Sequence, residues 1–377
     1  MRVLHVINSL EVGGAERFLL RLIPELVELG VESTILPLQP GGALEPIARS
    51  NGIKVTDQGR FDKRTLTGVG NFRRFIRRDQ PDLVQGWLYA GNLAASILSL
   101  LTLGAAPLVW NFRHTITDLA DESRTTRASL KLLRLLSRYP KLVLHNSLNG
   151  QASHHEWLSR CRSQMVIPNG FDVDEFRPDE STRKNVRIRE GWSETDVVVM
   201  VVGRHHPMKG QAEFLRTVGA VGDRCPNLRV VVVGRGADSS SQDLLIAARE
   251  SGLAGSRVNL LGARTDVADL LAAADVFVLP SLWGEGFPNV VGEAMSSGLP
   301  CVVTDVGAAA ELVGSCGLVV PPGEPAALGG AIAEMVAMGD ADRDALGRRA
   351  RERIESSFTL SQVAAQYAQV WRDVRQT

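Results

Sequence analysis

The sequence lacks the usual marks of a metal centre, a covalent nucleophile or a bound dinucleotide. Cys161, Cys225, Cys301 and Cys316 have neither the close spacing of a zinc site nor the density of a disulfide scaffold, and fit a reducing, cytoplasmic compartment. No cluster of histidines and acids has metal-ligand spacing, so no metal cofactor is expected. No Gly-x-Ser-x-Gly elbow occurs, which removes the commonest serine-hydrolase signature. Gly13-Gly14 follows the first apolar run, but the third glycine of the dinucleotide fingerprint is missing, which disfavours a dehydrogenase. The 42 Lys/Arg balance the 42 Asp/Glu, so the whole molecule has no electrostatic case for nucleic acid. Met1–Ile7 passes at once into polar residues and does not read as a signal peptide. The longest apolar region, Leu93 to Trp110, is broken by Ser96, Ser99, Thr102, Gly104 and Pro107, so it reads as helix, turn and strand rather than a spanning segment. Low-complexity tracts and short-period repeats are absent.

What is present is an ordinary globular composition, 44% hydrophobic and 22% charged over 377 residues, a length that predicts two domains. Short β-branched runs alternate with amphipathic stretches twice over, the pattern of two doubly wound α/β domains. Strands are expected at 3–7, 33–38, 83–85, 108–112, 142–145 and 165–167, then at 197–202, 229–233, 258–260, 276–279 and 301–304. Helices fall between them, among them 16–29, 127–137, 211–221, 241–251, 267–273 and 290–297. The turn-rich segment from Pro168 to Pro178 reads as the linker. It separates an N-terminal domain over 1–167 from a C-terminal domain over 179–357. A final helix within 358–377 carries Tyr367 and Trp371 four residues apart, a stripe that reads as core packing.

The most informative stretch is Glu285-Gly-Phe-Pro-Asn-Val-Val-Gly-Glu293. It follows a buried-strand pattern and places one carboxylate before a helix and another inside it. Open α/β sheets bind ligands at this edge. Helix N–H groups between the acids face an anion, while the acids themselves suit hydroxyls. Gly203-Arg204-His-His-Pro-Met-Lys209-Gly210 also follows a strand and brings two cations to the same edge, where Arg forks onto phosphate oxygens and Lys adds a point charge. Alone it would pass for a solvated turn; beside the acids it completes a cleft for a diphosphate flanked by polyols. Gly13-Gly14 allows close backbone approach to an anion. Gly234-Arg-Gly236 reads as a tight strand-to-helix turn. His114 stands beyond a strand of the first domain, while His205 and His206 read as loop-shaping residues. Two basic helix faces, Arg73, Arg74, Arg77 and Arg78, and Arg127, Lys131, Arg134 and Arg138, are either solvated or suited to an anionic membrane surface or acceptor.

Taken together and in order, these residues resemble family 4 of the retaining glycosyltransferases. The matching segments are Gly13-Gly14-Ala-Glu16, Ile167-Pro-Asn-Gly170, Gly203-Arg204 to Lys209-Gly210, Leu261-Gly-Ala-Arg264-Thr-Asp266, Glu285-Gly-Phe-Pro with Glu293, and Gly298-Leu-Pro-Cys-Val-Val-Thr-Asp305. The resemblance covers nearly the whole chain and implies the GT-B fold, two facing Rossmann-like domains with the last helix crossing back to the first. It implies a catalytic set of Arg204, Lys209, Glu285 and His114, with the two cations on the donor diphosphate, Glu285 on the transferred sugar and His114 reaching that sugar from the N-terminal domain. For the rest of the donor it implies Gly13 and Gly14 at the diphosphate, Glu293 at the ribose, backbone of Phe287, Pro288 and Asn289 along the sugar and phosphate, and backbone near Arg264 at the base. Transfer from a nucleotide-diphosphate sugar, most simply a UDP-sugar, to a glycan or lipid-linked acceptor follows, by metal-independent front-face attack. Relatives often carry a histidine where this chain has Gln85-Gly-Trp-Leu-Tyr89; there Trp87 and Tyr89 stack on a sugar or merely pack. A non-hydrolysing sugar-nucleotide epimerase and a non-catalytic nucleotide-sugar binder remain the alternatives.

Overall fold

The structure, a computed structural model, describes residues 1–57, 74–116, 119, 123–158, 160–253 and 255–376. The chain divides into two compact units, Met1–Gly170 with Leu360–Thr377, and Phe171–Thr359.

The first unit is built on a parallel sheet of seven strands: β1 (Arg2–Ile7), β2 (Glu32–Pro37), β3 (Lys54–Val55), β4 (Leu83–Trp87), β5 (Leu108–Phe112), β6 (Leu142–His145) and β7 (Gln164–Val166), in the order β3-β2-β1-β4-β5-β6-β7. The second has six: β8 (Val197–Val202), β9 (Leu228–Val233), β10 (Val258–Gly262), β11 (Val276–Leu279), β12 (Cys301–Thr304) and β13 (Gly317–Val320), in the order β10-β9-β8-β11-β12-β13. Helices cover both faces of each sheet, so central strands are buried on two sides and read as continuous apolar runs, VVVMVV in β8 and LRVVVV in β9. Each sheet is doubly wound. Its strand order reverses between β1 and β4 in the first unit and between β8 and β11 in the second, which places a ligand crevice beyond the carboxyl ends of those strands.

Two strands escape the sequence pattern. β3 has two residues, and β13 is an edge strand with Val319 exposed. Among the helices not singled out are Glu180–Glu190, Pro325–Ala337 and Asp340–Ser357. Asp340–Ser357 buries Arg343, Gly347, Ala350 and Ile354, a helical spacing occupied by residues that carry little hydrophobic signal. The segment 168–178, expected as a linker, contributes Phe171 and Phe176 to the core of the second unit.

The final helix, Leu360–Gln376, belongs to the first unit. Tyr367 and Trp371 are fully buried, and the Trp371 indole N–H donates to Gln85 Oε1 at 2.8 Å. Tyr367 stacks on Trp87 at 6.4 Å between ring centroids. Its hydroxyl accepts from Arg113 at 2.8 Å and from Asn111 at 3.0 Å. Arg113 also donates to Asn169 and lies 3.9 Å over the Phe18 ring. Burial lowers the pKa of this guanidinium, and no carboxylate pairs with it among the described residues. A cation so enclosed is held by dipoles and an aromatic face.

Three histidines are sealed into the same unit. His5 accepts from the Trp87 indole at 3.2 Å, His145 contacts Gln164 at 3.0 Å, and His154 meets the Tyr89 hydroxyl at 3.0 Å. Burial pushes His5 down to about 3, His145 to about 4 and His154 to about 3. All three are neutral when folded, whereas unfolded histidine takes up a proton near pH 6.5. Below that pH the unfolded chain binds more protons than the folded one, so stability falls with pH from about 6.5 towards the folded values. At pH 5 each buried histidine costs about 2 kcal/mol relative to neutral pH. Thermal melts are expected to lose midpoint steadily from pH 6.5 to pH 5; a midpoint constant over that interval contradicts the assignment.

Candidate functional site

Three loops converge at the carboxyl edge of the second sheet. The loop after β8 runs from Gly203 through a 3-10 turn at Pro207–Lys209, where His206 Nδ1 accepts from the Met208 N–H at 3.2 Å. Gly210 then adopts φ +61, and a Cβ there would fall on the carbonyl oxygen of Pro280 in the loop after β11. The Leu282 N–H donates to Met208 O at 2.8 Å, fastening the two loops together across the switch point. On the other side, a Cβ at Gly234 would collide with the Gly203 carbonyl. There Gly203 N donates to Val233 O and His205 N to Arg235 O, both at 2.8 Å. The His205 ring contacts Gln211 at 3.0 Å and Asp243 at 2.9 Å. Both histidines shape the loop, as the sequence suggested, and the turn at Gly234-Arg-Gly236 is the wall against which it packs.

The side chains on this frame form a chain of contacts. Lys209 Nζ lies 2.6 Å from Glu285 Oε1, and the Ser281 hydroxyl donates to the same oxygen at 2.6 Å. Thr304, at the end of β12, donates through Oγ1 to Ser281 O at 2.6 Å and Leu279 O at 3.1 Å, fixing the backbone from which Ser281 projects. The side chains of Lys209 and Glu285 are 17% and 8% exposed, so their attraction is weakly screened. The Lys209 stem runs beside Gly203. Arg204 is exposed and forms no ion pair among the described residues.

Beyond Glu285 the chain enters the helix Asn289–Ser296, whose N-cap position is Pro288, with no side-chain cap and no acid in its first turn. An uncapped helix start of this kind can offer backbone N–H groups to an anion, although the Val291 N–H already donates to Pro288 O at 3.0 Å. The Phe287 ring lies in the core, 6.1 Å from Phe171, so only its backbone is left to line a site. Glu293 is half-buried one turn further. Arg264, beyond β10, is committed: it forks onto Asp266 with two contacts of 2.7 Å and reaches Glu190 at 3.0 Å. Its hydrogen bond holds the Asp266 carboxyl at about 2. The guanidinium is thus a brace, and what this position can offer a ligand is backbone.

The residues expected from the first unit are placed on its own sheet. Gly13 is the N-cap of the helix Gly14–Glu28 and has no side-chain capping bond. Glu16 curls back so that its carboxylate occupies the space where a Gly13 Cβ would stand. Burial raises the Glu16 pKa. His114 follows β5 and meets the Tyr89 ring edge-on at 6.0 Å. Trp87 and Tyr89 are buried at 0% and 9%; of the two readings of this aromatic pair, packing is the one observed. In the first basic face, Arg73 lies outside the described residues, Arg74 and Arg77 are exposed, and Arg78 pairs with Asp79 at 3.0 Å. In the second, Lys131, Arg134 and Arg138 are exposed beside Leu132 and Leu135. Sequence reasoning missed Ser281 and Thr304, whose roles depend on contacts between strand ends that no local pattern encodes.

Comparison with known proteins agrees with this geometry. The model described as Glycosyltransferase Family 4 matches residues 12–175, and that described as Glycosyl transferases group 1 matches residues 196–338. Over 202 residues, 51% of each chain, this chain is 36% identical to the Escherichia coli UDP-Gal:alpha-D-GlcNAc-diphosphoundecaprenol alpha-1,3-galactosyltransferase. It is 32% identical to the D-inositol 3-phosphate glycosyltransferase of Corynebacterium glutamicum over 323 residues, 81% of this chain and 76% of that one. Among solved structures, Anabaena Alr3699/HepE in complex with UDP superposes with a TM-score of 0.84 at 25% identity, covering 99% of this chain and 100% of that one. Two parallel-sheet Rossmann-like units, with cations and carboxylates gathered at a switch point of the second, define a nucleotide-sugar-dependent glycosyltransferase of the GT-B class. The chain belongs to the family 4 glycosyltransferases.

The two cations of the loop after β8 should behave differently. Lys209→Ala leaves Glu285 without its partner in a poorly solvated position and should destabilise the protein by about 1–3 kcal/mol. Arg204→Ala removes an exposed side chain and should stay within about 0.5 kcal/mol of the unsubstituted chain. Denaturant titration of both variants checks this; equal stabilities would show that the ion pair is not what holds the loop.

Proposed function

We propose that this glycosyltransferase takes a UDP-sugar and transfers the sugar with retention to a lipid-linked glycan acceptor. The observation that carries the donor side is the Lys209–Glu285–Ser281 cluster at the second switch point. It sets a cation able to meet phosphate beside a carboxylate able to meet hydroxyls. Arg204 joins Lys209 at the diphosphate, and backbone atoms of Phe287, Pro288 and Asn289 at the start of the helix Asn289–Ser296 line the sugar and phosphate. Glu285 meets the transferred sugar and Glu293 the ribose; backbone near Arg264 meets the base. Gly13, Gly14 and His114 enter on the family resemblance. UDP is favoured because the Anabaena neighbour is in complex with UDP and the Escherichia coli relative is named for a UDP-sugar.

Chemistry is then charge stabilisation and alignment. The bond from the anomeric carbon to the diphosphate oxygen breaks. The acceptor oxygen bonds to the same face of that carbon, and its proton passes to the departing phosphate oxygen. Arg204 and Lys209 balance the charge that develops on that leaving group, so a metal ion is not required of this design.

The acceptor side draws on the relative named for a diphosphoundecaprenol substrate and on the helix Arg124–Leu136. That helix turns Leu132 and Leu135 outward, 48% and 65% exposed, among Lys131, Arg134 and Arg138. Apolar side chains within a basic face suit an anionic membrane surface. Among the described residues no helix is long and apolar enough to cross a membrane.

Arg204→Ala should weaken UDP-sugar binding about 10- to 100-fold, the worth of a charge-assisted hydrogen bond; unchanged affinity by calorimetry would remove Arg204 from the diphosphate. At low salt the protein should sediment with vesicles containing anionic lipid and be released by replacing Leu132 and Leu135 with Ser. Equal recovery with neutral vesicles would count against the membrane face.

A further inference from the structure

Glu285 is a carboxylate already half in use. Its Oε1 is shared by two donors, Lys209 Nζ and Ser281 Oγ, each at 2.6 Å. No residue among those described engages Oε2. The Ser281 hydroxyl is fully buried and has its own support. Thr304 grips the carbonyls of both Ser281 and Leu279, so the hydroxyl leaves the sheet at a fixed height. Ala308 N donates to Gly286 O at 2.9 Å. Gly307, at φ +58, lies so close to the Glu285 and Gly286 carbonyls that a Cβ would strike both. Carboxylate, hydroxyl and backbone are thus held from β11, β12 and the loop after β12 together.

On the donor reading proposed above, we infer that Ser281 is a positioning residue that fixes the rotation of the Glu285 carboxylate. Oε1 is kept for the protein, and Oε2 alone is presented to the donor sugar. The consequence is specificity. A carboxylate free to rotate can bridge many pairs of hydroxyls with both oxygens; one locked through Oε1 recognises hydroxyls within reach of a single oxygen and rejects a sugar whose hydroxyl there is inverted or missing. Ser281 therefore acts on the sugar half of the donor. The diphosphate half keeps Arg204, Lys209 and the helix start.

The test separates the halves. Binding of UDP, UDP-glucose and UDP-galactose is measured by calorimetry for the unsubstituted chain, Ser281→Ala and Ser281→Thr, with melting midpoints recorded beside them. Ser281→Ala is expected to hold UDP within about twofold while reducing the preference between the two UDP-sugars at least fivefold. Ser281→Thr should restore that preference. Three results overturn the inference: an unaltered sugar preference in Ser281→Ala, a loss of UDP equal to the loss of UDP-sugar, or no rescue by Thr. If the unsubstituted chain binds none of the three nucleotides, the donor reading itself fails and takes the inference with it. Normal donor binding that is indifferent to Ser281 leaves the donor reading standing and removes the positioning role alone.

Discussion

The second unit is organised around one close approach, the packing of the loop after β8 onto the loop after β11 at Gly210 and Pro280. Gly210 is left-handed and its α-carbon faces the Pro280 carbonyl, so no side chain fits there. That contact brings Lys209 and Glu285, 76 residues apart in sequence, to 2.6 Å. From this pair the rest follows: the direction of the lysine, the use of Oε1, the need for Ser281, and the exposed Arg204 as a second cation not drawn into the protein's own network. Doubly wound sheets bring strand ends together wherever the order reverses. Which chemistry results depends on what those ends carry, here an ammonium and a carboxylate locked to one another with free valences pointing outward.

The first unit shows another use of burial. Arg113, Asn111 and Tyr367 tie the end of β5 to the returning C-terminal helix, while Asn169 ties it to the last residues before the chain leaves the unit. Three neutral histidines fill the surrounding interior. Such polar interiors are costly where a member lacks a partner, as Asn111 Oδ1, Arg113 Nε and His145 Nδ1 do among the described residues, and the buried neutral histidines make this unit the acid-sensitive part of the molecule.

How far the sequence foretold all this depends on the range of each interaction. Central strands such as β8 and β9 were legible because burial on both faces writes a continuous apolar run. β3 and β13 were not, being too short or too exposed, and neither was Asp340–Ser357, whose buried face is made of Arg, Gly, Ala and Ile. The cations, the two acids and the glycines were legible as residue types at strand ends. That Lys209 and Glu285 form a direct pair was not, because register across the switch point is set by Gly210 and Pro280 rather than by spacing. Arg264 was legible as a position, but its commitment to Asp266 and Glu190 depends on the helix Glu180–Glu190, which carried no strong pattern. Trp87 and Tyr89 had two readings, and burial decided between them.

The central claim is that Lys209 and Glu285 act on the donor as one coupled unit. A double-mutant cycle on UDP-sugar affinity tests it, using Lys209→Ala, Glu285→Ala and the double variant. Coupling predicts that the double variant binds within about threefold of the weaker single variant, because either substitution already dismantles the pair. Losses that multiply across the two substitutions would show two independent contacts and contradict the account.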